Sequence, residues 1–227
     1  MNTTCPICEN ETKYYFRTPF LRNAEQKKDD RMVHYYRCPN CDYIFAPEFK
    51  TWTQEDFKRE IYNEKYIEFD PEFLTIRPMS NAVQLNNELQ GLKHLDYGGG
   101  NGVMSERLRQ FGVDSTSYDV FYNTEKPKGK YDIITCIEVI EHTIDPLKLF
   151  FDINDLLKDA GTLILKTSVV DFWDCKNEFD FSKHWYVMPR NGHIGFYSIK
   201  TLQQIADKTG FELLTKESIT NILKKIK

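Results

Sequence analysis

No apolar run in the 227 residues approaches the roughly 20 residues that a membrane-spanning helix needs. The first residues, Met1-Asn2-Thr3-Thr4-Cys5-Pro6, carry no signal-peptide core, which predicts a cytoplasmic protein. There is no excess of positive charge either. The 30 Lys and Arg stand against 34 Asp and Glu, for a formal net charge of -4. That balance disfavours a large nucleic-acid surface, although a local basic patch stays open. With 41% hydrophobic residues, the chain has room for one domain of ordinary size plus a small module.

Cysteine is sparse, six in all, but four of the six are paired, as Cys5-Pro6-Ile7-Cys8 and Cys38-Pro39-Asn40-Cys41. Each pair forms a tight knuckle that can turn two thiolates toward one ion. Four thiolates suit tetrahedral Zn²⁺ in a structural site. Two disulfides, or a thioredoxin-like redox pair, are the competing readings. Neither a secretion signal nor a surrounding βαβ unit supports them. Cys136 and Cys175 stand alone. Tyr14-Tyr15-Phe16 and Val33-His34-Tyr35-Tyr36 are β-prone and predict a hairpin between the knuckles, with the polar run Asn23 to Arg31 at its tip. A module over 1–50 with so little apolar content depends on the metal for its fold.

A helical connector is expected over 51–90. Thr53-x-x-Asp56 resembles a helix start, followed by Phe57, Ile61 and Tyr62 at helical spacing. Pro71 and Pro78 break the chain, and Ser80 then opens a second helix with Ala82, Val83, Leu85 and Leu89 on one face.

The rest, 91–227, is organised around His94 to Gly102, H-L-D-Y-G-G-G-N-G. An apolar lead-in ends in Asp96. Gly98, Gly100 and Gly102 follow at alternate positions, with Gly99 as an extra, and Val103 to Phe111 has helical periodicity. A strand, a glycine turn and a helix bring bare backbone and unpaired N–H groups to a ligand. Gly112 ends this unit, and Asp114 to Val120 reads as a second strand closing on Asp119. An acid there can accept hydrogen bonds from both ribose hydroxyls of a nucleoside. Only Phe121 to Lys130 precedes the next strand, too little for a full strand and helix, so a third unit is expected to be trimmed to a loop. Tyr131 to Cys136 reads as a buried strand leading into Ile137-Glu138-Val139-Ile140-Glu141-His142. Asp145-Pro146 starts a helix, Gly161 is expected to stop it, and Thr162 to Thr167 reads as another buried strand.

The acid-x-G-x-G-x-G spacing resembles motif I of the class I S-adenosylmethionine (SAM) methyltransferases. With E-V-I-E-H and G-T-L-I-L-K-T downstream, Leu92 to Leu214 looks like the branch that includes the ubiquinone-type O-methyltransferases. The resemblance implies an α/β, Rossmann-like class I methyltransferase sheet, here trimmed around the third strand, behind an N-terminal zinc ribbon. It implies that Asp96, Gly98, Gly100, Gly102 and Asp119 contact SAM and that Glu138 sits at the cleft mouth, serving cofactor and catalysis. It also puts His142 near the transferring methyl or the acceptor. A histidine there suits proton removal from a hydroxyl, or else it only fixes the loop.

Val169 to Tyr197 is long and aromatic, and reads as a lid over the acceptor. Its run from His184 to Ser198 resembles a segment found before the last helix in such enzymes, which makes His193 and Tyr186 candidate acceptor-site residues. Ser198 caps that helix, Gly210 ends it, and Phe211 to Leu214 returns as a strand. Ile219 to Ile226 is too short and Lys-rich to suggest a seventh strand. Ribbon plus methyltransferase resembles enzymes that modify sugars in antibiotic or surface-polysaccharide pathways. The expected activity is therefore methyl transfer, O-methylation favoured, to a small-molecule or carbohydrate-linked acceptor. An RNA-base methyltransferase, or a non-catalytic binding module, is the alternative.

Overall fold

The computed structural model describes residues 3–21 and 31–226. Its strands are β1 (Lys13–Pro19), β2 (Met32–Arg37), β3 (Ile44–Phe45), β4 (Lys93–Tyr97), β5 (Asp114–Tyr118), β6 (Tyr131–Ile137), β7 (Leu157–Lys166), β8 (Gly195–Phe196), β9 (Phe211–Leu213) and β10 (Thr220–Lys225). Its helices are α1 (Gln54–Glu60), α2 (Tyr66–Phe69), α3 (Ile76–Leu85), α4 (Val103–Gln110), α5 (Pro146–Leu156), α6 (Glu178–Lys183) and α7 (Ile199–Thr209).

The larger sheet has the order β5-β4-β6-β7-β10-β9. Strands β4 to β7 pair in parallel, and β10 pairs antiparallel with both β7 and β9. Strand β6, Y-D-I-I-T-C-I, is almost continuously apolar because helices cover both faces of a parallel sheet. Side chains alternate between the two faces. Ile134, Leu163 and Leu165 share a core with Phe150 and Ile153 of α5 and Leu202 and Ile205 of α7. Ile133 and Ile164 share the other with Ala82 of α3 and Met104 and Leu108 of α4. Because β5 and β6 flank β4 on opposite sides, the strand order reverses beside β4, and ligand crevices form at such switch points.

No strand lies between β5 and β6, as the short 121–130 stretch implies. The chain turns back at once, with Asp119 N–H donating to the Asn123 carbonyl at 3.0 Å. The connector covers this edge: the Gln54 amide donates to the Val120 carbonyl, and the Tyr62 ring lies 4.6 Å from that of Phe121. Helix α1 starts at the expected capping box of Thr53 and Asp56.

Several boundaries differ from the sequence expectation. Thr220 to Lys225 is a strand despite its lysines. Leu223 and Asn221 are buried, while the Lys225 ammonium reaches the carbonyls of Asn154 and Leu157 at 2.8 and 3.1 Å. Long lysine stems can lie on a sheet while their heads find acceptors. Helix α5 ends at Leu156, ahead of Gly161, which sits inside β7. Helix α3 starts at Ile76 rather than Ser80, with Pro78 in the first turn, where its missing N–H is harmless. Val83, expected on the inner face, is exposed.

The hairpin β1–β2 forms where the aromatic runs indicate, with Phe16 stacked on Tyr35 at 4.8 Å. The expected tip, Asn23 to Arg31, lies outside the described residues apart from Arg31. The hairpin belongs to a four-stranded sheet of order β1-β2-β3-β8. Its last strand comes from far along the chain: Ile44 pairs with Phe196 and Phe45 with Gly195. Tyr43 lies so close that a Cβ at Gly195 would overlap its hydroxyl and come within 3.1 Å of its Cζ. Tyr43 is buried and has nowhere to retreat. Gly195→Ala should therefore destabilise the protein by about 1–3 kcal/mol, as overpacking does. Urea unfolding checks this, and an unchanged midpoint contradicts the contact.

Candidate active site

The expected site residues meet at the carboxyl ends of β4, β5 and β6. The chain leaves β4 through Gly98, Gly100 and Gly102, all with positive φ. The N–H groups of Gly98 and Gly99 donate to the Tyr118 carbonyl at 2.7 and 3.1 Å, which ties the turn to β5. Gly99 is the tightest point. A Cβ there would overlap the Asp96 carboxylate and lie 2.5 Å from the Ser117 hydroxyl.

Asp96 is thus beneath the turn rather than facing solvent, at 4% exposure. Its Oδ1 accepts from the Thr135 hydroxyl at 3.0 Å. The Thr135 oxygen lies 3.0 Å from His94 Nε2, and His94 Nδ1 lies 2.8 Å from the Ser115 hydroxyl. With the Thr135 proton given to Asp96, His94 donates from Nε2 and accepts from Ser115 at Nδ1. Burial pushes the Asp96 carboxyl up to about 7 and the His94 imidazole down to about 3. Sequence reading took His94 as part of an apolar lead-in and so missed this relay.

Asp119 follows β5. Its Oδ1 accepts from Phe121 and Tyr122 N–H at 2.7 and 3.2 Å, and its Oδ2 from Gly100 N–H at 3.0 Å. One carboxylate therefore joins the glycine turn to the short loop that replaces a third unit. A carboxylate oxygen accepts two hydrogen bonds, so Oδ2 retains capacity for a hydroxyl.

Glu138 leaves β6 with φ +52, a conformation that costs a non-glycine residue roughly 1–3 kcal/mol and tends to occur at functional sites. Glu141 and His142 lie in the 3₁₀ turn that follows. The Tyr186 hydroxyl lies 3.0 Å from Glu138 Oε2 and also contacts Glu141 Oε1 and, at 3.2 Å, the Thr167 hydroxyl. One phenolic proton cannot serve two ionised carboxylates, so one of the two carboxyls carries a proton. Burial, followed by the Glu141 charge, pushes Glu138 up to about 8. Glu141 is also raised by burial. Arg77, paired with Asp70, offsets part of the shift at Glu138.

His142 and His193 stand together, with ring centroids 5.0 Å apart. His142 Nε2 is 3.8 Å from Glu141, and His193 Nδ1 donates to the Tyr186 carbonyl at 2.6 Å, leaving its Nε2 free. Burial pushes His142 down to about 4 and His193 to about 3, so both imidazoles are neutral at physiological pH. Glu141 was absent from the candidates read off the sequence. Its signal was the second acid of E-V-I-E-H, three residues after Glu138, where a 3₁₀ turn brings both to one side.

Among the described residues, two groups of side chains could hold a metal ion: Cys5, Cys8, Cys38 and Cys41, and separately Glu141, His142 and His193, with each set of ligand atoms within 4.8 Å. In the first, sulfur separations of 3.4, 3.5 and 3.6 Å approach the roughly 3.8 Å edge of a tetrahedron with 2.3 Å metal–sulfur bonds. They are far too long for disulfides. The Asn10 amide donates to Cys8 Sγ at 3.4 Å.

The raised carboxyls have a consequence for stability. Unfolded, Asp96 and Glu138 would ionise near pH 4. Folded, they keep their protons to about 7 and about 8. Across that window the folded protein holds these two protons and the unfolded chain does not, so the pair lowers ligand-free stability as pH rises, by up to roughly 1.4 kcal/mol per pH unit for each group. The three neutral imidazoles act in the opposite sense below about pH 6.5. The Asp96 share is therefore read as a difference: in urea unfolding, the parent should lose stability relative to Asp96→Asn as pH rises from about 4 to about 7. An unaltered slope in the variant contradicts a proton held beneath the turn.

Among known proteins, residues 49–216 match the model of a family described as a methyltransferase domain. A ubiquinone biosynthesis O-methyltransferase of Pseudomonas aeruginosa is 30% identical over 155 residues, covering 56% of this chain and 64% of that protein. One from Bordetella avium is 29% identical over 110 residues, covering 37% and 46%. The chain thus spans less than two thirds of the length of these curated relatives. In fold it is similar to the Burkholderia thailandensis 1,6-didemethyltoxoflavin-N1-methyltransferase, with TM-score 0.58, 14% identity, and coverage of 92% of this chain and 100% of that one. It is also similar to human N-acetylserotonin methyltransferase, with TM-score 0.51, 13% identity, and coverage of 79% and 61%. The sheet with its glycine turn and the family match over most of the chain agree: this protein belongs to the methyltransferase-domain family of class I SAM-dependent methyltransferases.

Proposed function

We propose that the protein transfers a methyl group from SAM to a hydroxyl of a small-molecule or carbohydrate-linked acceptor. The observation that carries this is the meeting of three acids and a glycine turn at the ends of β4, β5 and β6. SAM supplies an activated methyl on a sulfonium, so the protein has only to position the nucleophile and take its proton. In this scheme the backbone of Gly98, Gly100 and Gly102 lies along the cofactor, and Asp96 fixes the turn from below. Asp119 accepts from a ribose hydroxyl at Oδ2, and Glu138 faces the sulfonium end.

On the acceptor side, His142 and His193 are neutral and able to accept a proton. The acceptor oxygen forms its bond to the methyl carbon as the carbon–sulfur pair returns to sulfur, and the hydroxyl proton passes to an imidazole. Glu141, 3.8 Å from His142 Nε2, is the counter-charge that stabilises the imidazolium. The O-methyltransferase names of the P. aeruginosa and B. avium relatives support oxygen as the methylated atom. We assign 1–50 as a zinc-ribbon module, 51–90 as a connector and 91–227 as the catalytic domain. We also assign a cytoplasmic location, which the free thiols support, since thiols stay reduced there. No helix among the described residues is long and apolar enough to cross a membrane.

Two measurements test this function. Asp119→Ala should weaken SAM binding by about 1–3 kcal/mol in calorimetry, as expected for losing a charged hydrogen-bond partner. Equal affinity means another acid holds the ribose, and no SAM binding by the parent points to a non-catalytic module. Metal analysis should find about one zinc per chain, lost on replacing Cys38 and Cys41 by Ser. A metal-free, folded protein with those thiols oxidised contradicts the ribbon.

A further inference from the structure

We propose that the ribbon positions the acceptor side of the site, and that Tyr35 is the positioning residue that holds the backbone of His193. The segment from His193 to Phe196 is a strap clamped from two directions. On the ribbon side, the fully buried Tyr35 donates from its hydroxyl to the His193 carbonyl at 2.7 Å. Ala46 N–H donates to the Ile194 carbonyl at 2.9 Å, and β3 pairs with Gly195 and Phe196. Tyr43 lies against Gly195 so closely that no side chain fits there. On the catalytic side, Ile194 N–H donates to the Glu141 carbonyl at 2.8 Å.

The knuckle itself joins the clamp, since the Cys41 carbonyl accepts from the Thr201 hydroxyl at 2.8 Å, at the start of α7. His193 therefore inherits its place from a hairpin far away in sequence, Tyr35 and His193 being 158 residues apart. Among the described residues, the ties of the glycine turn run to Tyr118, Asp119, Thr135 and Leu74 rather than to this hairpin. The knuckle cysteines pack in the same core as Leu95 and Tyr97 of β4, but the hydrogen bonds of the strap and of the glycine turn are separate, so losing the Tyr35 hydroxyl frees His193 before it disturbs SAM. A hydroxyl that leaves a buried carbonyl unpaired destabilises that contact enough to open it roughly tenfold more often.

This rests on the acceptor-side role proposed for His193 for its catalytic meaning, but its test does not use methyl transfer. The full chain and its Tyr35→Phe variant are treated with diethyl pyrocarbonate, and modified histidines are mapped by mass spectrometry. SAM affinity is measured in parallel. The expected result is carbethoxylation of His193 about tenfold faster in Tyr35→Phe, with His94 still protected and SAM affinity within about twofold of the parent. The parent, stripped of metal by a thiol-reactive mercurial, should expose His193 in the same way.

Equal protection of His193 in the variant or in the stripped parent overturns the proposal. So does equal loss of His94 protection and SAM binding, which would make the ribbon a general scaffold. Failure of the methyl-transfer function appears differently, as absence of SAM binding in the unmodified parent.

Discussion

The close approach of Asp96 and Ser117 to the backbone of Gly99 is the constraint from which the glycine turn is built. Any side chain at that position would lift the turn off β4 and β5. With none, the turn settles onto the Tyr118 carbonyl, and Gly100 presents its N–H to Asp119. The relay from Ser115 through His94 and Thr135 then orients Asp96 from underneath. A buried carboxyl with one hydrogen-bond donor is expensive to ionise, and here that expense fixes the shape of a turn. The chemistry of the site starts from backbone geometry rather than from a reactive side chain.

The cluster around Tyr186 is organised on a different principle. Two buried carboxyls, one of them on strained backbone, share the Tyr186 hydroxyl and face two neutral imidazoles. Like charges this close cannot both ionise without great cost, so the cluster stores a proton at neutral pH. This array is closed by a strap whose strand, β8, belongs to the sheet of the N-terminal hairpin. The hairpin and the strap therefore meet over one cluster, although the parallel sheet alone carries the glycine turn.

What could be read in the sequence was local. The glycine turn, the capping box at Thr53, the N-caps at Asp145 and Ser198 and the alternating hairpin aromatics each carry their own short-range signal. The missing third unit was legible from spacing alone. What stayed hidden depended on distant partners. Strand β10 looks polar until its lysines find the carbonyls of Asn154 and Leu157. Strand β8 is two residues long and exists only because β3 lies beside it. His94 reads as one polar residue in a strand until Ser115 and Thr135 arrive from its neighbours. Glu141 is buried by a strap that passes over it some fifty residues later, with Ile194 N–H on its carbonyl.

The central claim is that a sulfonium nucleoside lies on the bare backbone between Asp96 and Gly102. A crystal structure with S-adenosylhomocysteine, the product left after methyl transfer, tests it most directly. The account predicts density along Gly98 to Gly102, with a ribose hydroxyl within hydrogen-bond distance of Asp119 Oδ2 and the sulfur turned toward Glu138. Density elsewhere, or a turn that stays closed by side chains at saturating ligand, contradicts it.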